Sequence, residues 1–86
     1  MKRRAEPDRV QCGVRVEKRL LKVMKGLAEY LELSLAEAIE LCVLTAFEQP
    51  GGFSKGTQRR IQQLSEVYDL DYGLADLRTR LFVADT

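Results

Sequence analysis

Residues 10–16, Val10-Gln11-Cys12-Gly13-Val14-Arg15-Val16, alternate apolar and non-apolar without interruption, and no second run of that kind follows anywhere in the 86-residue chain. Such alternation marks a half-buried β-strand, whose successive side chains point to opposite faces. A lone strand leaves its backbone donors and acceptors unpaired, and even two strands are marginal without an apolar surface beneath them. The nearest source of a matching strand is a second copy of the chain. The pattern therefore predicts an intertwined dimer whose paired strands form a two-stranded ribbon with one face to solvent. Alternation assigns Val10, Cys12, Val14 and Val16 to the inner face and Arg9, Gln11, Gly13 and Arg15 to the outer one. A slip of one residue would bury Arg15 and expose four apolar side chains, so the register is well specified.

The remainder reads as helix. From about residue 17 to residue 31, Leu20, Val23, Met24, Leu27, Tyr30 and Leu31 recur at three- and four-residue intervals, with Lys18, Arg19, Lys22, Lys25 and Glu29 between them. Ser34-Leu35-Ala36-Glu37 then has the form of a capping box and predicts the start of a second helix. Ten of the thirteen residues from Leu35 to Phe47 are apolar, so that helix needs cover on nearly every side. One amphipathic helix of the same chain covers a single stripe, and a short chain has little else to offer. A second subunit is again implied. Leu20, Leu27, Leu31, Ile39, Val43 and Phe47 join the four inner strand residues as the expected dimer core. Pro50-Gly51-Gly52 ends the helix. Thr57 is expected to cap a third helix reaching about Leu70, with Ile61, Leu64 and Tyr68 as its stripe, and Leu74, Leu77 and Leu81 suggest a short fourth. The chain thus divides into a flexible basic arm (1–8), a strand-helix-helix unit (9–50) and a helical extension (51–86).

Charge is nearly balanced at 14 basic and 13 acidic residues, but its distribution is not even. Residues 1–15 carry a net +3, residues 17–50 a net −2, and residues 51–86 none. Positive charge therefore gathers where the strand is expected. With no histidine and two distant cysteines, a zinc site is not expected, and Cys12 and Cys42 read as small hydrophobes in a reducing compartment. Neither a bilayer-spanning run nor a hydrophobic secretory segment is visible, so a cytoplasmic location without membrane contact is expected. No glycine-rich phosphate loop or nucleophile constellation is present, and neither enzymatic activity nor a cofactor is expected.

One strand, an amphipathic helix, a tight turn and a nearly all-apolar helix within about forty residues resemble the ribbon-helix-helix family of DNA-binding repressors, the Arc and MetJ type. The resemblance covers residues 9–49. It rests on Val14-Arg15-Val16-Glu17-Lys18-Arg19-Leu20-Leu21 at the strand-to-helix junction and on Leu33-Ser34-Leu35-Ala36-Glu37-Ala38-Ile39 at the start of the second helix. It implies a mainly α fold with one β-strand, a homodimer with stacking into tetramers left open, and a partner in double-stranded DNA, as in a transcriptional repressor. By position, Gln11, Gly13 and Arg15 would face base edges in the major groove, with Gly13 leaving the middle position without a side chain. Phosphate contacts would fall to Ser34 and Leu35 at a helix N-terminus, to Arg9 and to the arm residues Lys2, Arg3 and Arg4. The family's inter-helix turn usually carries glycine, so Glu32 or Leu33 would have to accept a positive φ here. The alternative is an antitoxin-like interaction module whose residues 51–86 bind a protein partner.

Overall fold

The structure, a computed structural model, describes residues 8–49 and 51–82. They form four helices in chain order: α1 (Lys18–Leu31), α2 (Leu35–Glu48), α3 (Lys55–Val67) and α4 (Leu74–Phe82). Residues 8–17 are neither helix nor strand, and no strand or sheet occurs among the described residues. The expected ribbon-helix-helix architecture with its one β-strand is thereby corrected to an all-helical chain. The physical reason lies in the ladder: a strand exists through hydrogen bonds to a neighbour, and no strand among the described residues supplies them.

Local chemistry explains each helix end. Glu17 is the N-cap of α1, and its carboxylate accepts from the Leu20 amide at 2.8 Å. At the other end Glu32 adopts φ 60°, the Glu32 amide donates to Glu29 and the Leu33 amide to Ala28 at 2.8 Å. This is the Schellman arrangement, which satisfies carbonyls that the helix leaves unpaired. Glycine is the usual occupant of such a position because it has no Cβ to crowd the carbonyl. Glu32 therefore holds a left-handed backbone at a cost, one the turn tolerates because α2 starts only three residues later. The capping box opens α2: Ser34 Oγ accepts from the Glu37 amide at 3.1 Å and the Glu37 carboxylate accepts from the Ser34 amide at 2.9 Å. For α3 the cap is Ser54, which accepts from the Thr57 amide, so the expected Thr57 cap moves three residues toward the N-terminus. Asp69, at φ 53°, ends α3 by the same Schellman device, with the Leu70 amide donating to Ser65 at 2.8 Å.

Packing centres on α2. Leu44 of α2 meets Leu74 and Leu77 of α4 in the buried cluster, with Leu41, Tyr72 and Leu81 packed around it. Leu77 is fully buried. Ala28 of α1 and Ala38 of α2 are also buried. A polar tie adds to the α2–α4 packing. The Glu48 carboxylate, at the end of α2, accepts from the Leu74 amide at 2.7 Å, and Asp76 accepts from the Gly73 amide at 2.9 Å. Two orphan donors at the start of α4 are thus satisfied, one of them by a residue 26 positions away. Gly73 permits this approach, since a Cβ there would lie 2.7 Å from the Glu48 carboxylate oxygen.

Among the described residues the buried apolar side chains are few: Ala28, Ala38, Leu44, Leu74 and Leu77. None of the helices among the described residues is long and apolar enough to cross a membrane.

Two stability outcomes follow. Replacing Glu32 by glycine should raise the unfolding free energy by about 1 kcal/mol in a urea titration, because the left-handed penalty disappears. Gly73→Ala should lower it by about 1 kcal/mol, as the flexible Glu48 side chain swings away and the Leu74 amide loses its cap.

Candidate nucleic-acid interface

Residues 8–17 and the first turns of α1 concentrate the positive charge of the described structure. Between Asp8 and Lys25 stand six basic and two acidic residues. Arg9 pairs with Glu40 of α2, and Arg19 bonds Glu17 at 2.8 Å. Arg15, Lys18, Lys22 and Lys25 are exposed and form no ion pair among the described residues. Lys18, Lys22 and Lys25 sit at i, i+4 and i+7, which puts them on one face of α1. Such a row can follow a phosphate backbone. Apolar periodicity alone marks these lysines as solvated fill; their own four- and three-residue spacing is the signal that sets them on one face.

The expected base contacts Gln11, Gly13 and Arg15 all lie exposed, and a Cβ at Gly13 would meet nothing within 4 Å. The expected phosphate contacts are spread more widely. Arg9 already has a carboxylate partner, and the second oxygen of Glu40 is buried with no hydrogen-bond partner, so this pair ties the N-terminal segment to α2. At the start of α2 the Ser34 amide and hydroxyl are both used by the capping box. The amides of Leu35 and Ala36, in the first turn of α2, remain as helix-terminal donors. Glu37 adds a negative charge at that same terminus, which opposes an anion there. Lys2, Arg3 and Arg4 lie outside the described residues.

The expected dimer core is largely open in the single chain. Val10, Val14 and Val16 are 86%, 72% and 50% exposed, and Cys12 is exposed as well. Leu20 is also exposed, while Leu27 and Leu31 are half-buried. Ile39, Val43 and Phe47 on α2 each keep about two-fifths of their surface open. A distinction inside α1 is not visible in its periodicity. Leu21, Met24, Ala28 and Leu31 form the inward stripe, whereas Leu20, Val23 and Tyr30 form a second apolar stripe facing solvent. Both have helical spacing, so only the position of α2 tells them apart. The basic row, the exposed apolar segment and this outer stripe are contiguous in sequence.

Glu17 joins the two parts of this surface. Its carboxyl is held below the ordinary glutamate range, first by the Arg19 guanidinium and then by the Leu20 amide. Hydrogen bonds and an opposite charge favour the ionised form, so the folded cap binds a proton less readily than the unfolded chain does. Among the described residues no group of three His, Cys, Asp or Glu side chains gathers as it would around a metal ion. No protein-family model, curated protein or solved structure matches this chain.

The pH dependence has a defined sign. The contribution of Glu17 is complete above the ordinary glutamate range and is lost as pH falls through the lower folded value. The protection factor of the Leu20 amide, its exchange rate set against the intrinsic rate at the same pH, should fall on acidification through that window, whereas in Glu17→Gln it should already be low at neutral pH and change little.

Proposed function

We propose that this chain binds duplex DNA as a self-associated dimer in the cytoplasm, with Arg15 and the row Lys18, Lys22 and Lys25 on phosphates and groove edges and Gln11 beside them. The observation that carries the reading is the unspent positive charge at Arg15 and along one face of α1. The asymmetry reinforces it: residues 1–25 hold nine basic against three acidic side chains, while residues 26–86 hold five against ten. A polyanion is drawn to the first part and repelled by the second, which orients the encounter. Phosphate neutralisation releases counterions, so affinity arises largely from sequence-independent charge and falls steeply with salt. Gln11 and Arg15 are the side chains of this segment able to form bidentate contacts with adenine and guanine edges. The family resemblance contributes this chemistry alone, since the paired-strand architecture is not part of the proposal.

Self-association is supported by what the chain leaves open. Val10, Val14, Leu20, Val23 and Tyr30 are all more than half exposed. A monomer rarely leaves so many large apolar side chains of one segment uncovered. Two copies would also double the number of cations presented to one duplex, which matters because each neutralised phosphate steepens the salt dependence.

Electrophoretic titration with duplex DNA at several fixed salt concentrations tests the reading. Arg15→Ala should weaken binding by about 1 to 3 kcal/mol if it reads a base edge. Lys22→Gln should lower affinity evenly across sequences and reduce the slope of log affinity against log salt by roughly 1 for each phosphate no longer neutralised. Failure of the wild-type chain to retard duplex DNA at low salt overturns the proposal.

A further inference from the structure

Among the described residues α3 is the one helix with no buried side chain, and its apolar face stays largely open at Leu64, Val67 and Tyr68. Leu64 is 47% exposed, Val67 71% and Tyr68 77%. Beside this face runs a groove of about 310 Å³ lined by Phe47, Ile61, Leu64, Ser65, Tyr68 and Leu70. The Ser65 hydroxyl already donates to the Ile61 carbonyl at 2.8 Å, and Tyr68 stands out into solvent at the rim. The groove therefore offers apolar contact and almost no free hydrogen-bonding group, which argues against a polar small molecule as its occupant. An isolated helix of thirteen residues is also marginal in water, so α3 is stabilised by being covered.

Charge decides what the cover is. One end of α3 is basic, with Lys55, Arg59 and Arg60; the other is acidic, with Glu66 followed by Asp69 and Asp71. None of these six forms an ion pair among the described residues. We propose that the apolar face of α3 takes α3 of a second copy, antiparallel and related by a two-fold axis near Leu64. In that arrangement the basic end of each helix lies against the acidic end of the other, and the two helix dipoles also oppose. A parallel pairing would set like charge against like. The surface is self-complementary in shape as well, because Tyr68 projects from the rim of the groove that would receive its mate, the condition for an isologous contact. A foreign segment would need the same charge order by coincidence, whereas a second copy has it by construction.

One helical face per copy is a small contact, below the size of a standard interface. The pairing is therefore a weak, salt-sensitive step that adds to the association proposed above and turns dimers into tetramers. It requires no DNA, so its test is separate from that of DNA binding. Sedimentation of the full chain without nucleic acid, followed from micromolar to millimolar concentration, should show a reversible step that doubles the mass. Arg60→Glu and Asp71→Lys should each weaken that step at least tenfold, and the two changes together should restore it. Leu64→Glu should abolish it, with the helical circular dichroism of the charge variants unchanged as a control on folding. The proposal is overturned if the step is absent from the wild type, as it would be if the groove held a segment of another protein. It is equally overturned if the step persists in all three single variants, or if the double charge variant is no better than either single one.

Discussion

α2 is apolar around most of its circumference and so must be covered around most of it, and the rest of the molecule is arranged by that requirement. Leu44 and Leu41 turn toward α4, Ala38 is buried, and Ile39, Val43 and Phe47 remain partly open. The packing of α2 on α4 provides the chain's main apolar cluster, built on Leu44, Leu74 and Leu77. α1 turns Leu21, Met24, Ala28 and Leu31 inward and leaves its outer stripe to solvent. A chain of this length cannot bury such a helix alone, because its surface is large relative to its volume. The open faces are thus a consequence of size and composition, and they are the physical basis for expecting a second copy.

Polar contacts set the order of the elements around that centre. Glu48 stands at the end of α2, where a negative charge opposes the helix dipole, yet the same carboxylate lies at the start of α4, where it is favoured. The last residue of α2 therefore caps the start of α4. Gly73 is kept small by that approach and not by its backbone angle. Arg9 and Glu40 make the corresponding tie at the other end of the chain, holding the N-terminal segment on α2. Each tie links residues more than twenty positions apart, and each uses a charge that would otherwise be solvated.

Charge is segregated as well as balanced. The near-neutral total conceals a basic first quarter and an acidic remainder, and within the acidic part α3 is divided again into a basic and an acidic end. The first division is the basis of the proposed polyanionic partner, and the second of the proposed pairing of α3 with its copy. These are different scales of one principle, in which the placement of charge is more informative than its sum.

Features that depend on near neighbours in the chain were legible in the residues themselves. The capping box at Ser34 and Glu37 and the helix starting at Leu35 rest on groups within four residues of one another, and such short-range chemistry acts before any fold exists; the left-handed turn was expected only from the resemblance, at Glu32 or Leu33, and it falls at Glu32. The exposure of Gln11, Gly13 and Arg15 does not follow from the alternation, because Val10, Cys12, Val14 and Val16 between them are exposed as well. The N-terminal alternation misled about structure because period two describes how side chains would be placed in a ladder and cannot create the ladder; its hydrogen bonds must come from elsewhere, and the sequence has no second alternating run to give them. Likewise, two stripes of α1 have equal helical spacing, and only packing on α2 selects Leu21, Met24 and Ala28 over Leu20, Val23 and Tyr30. The capping of α4 by Glu48 and the pairing of Arg9 with Glu40 were illegible for the same reason: both depend on distances between residues far apart in the chain, which only the tertiary arrangement decides.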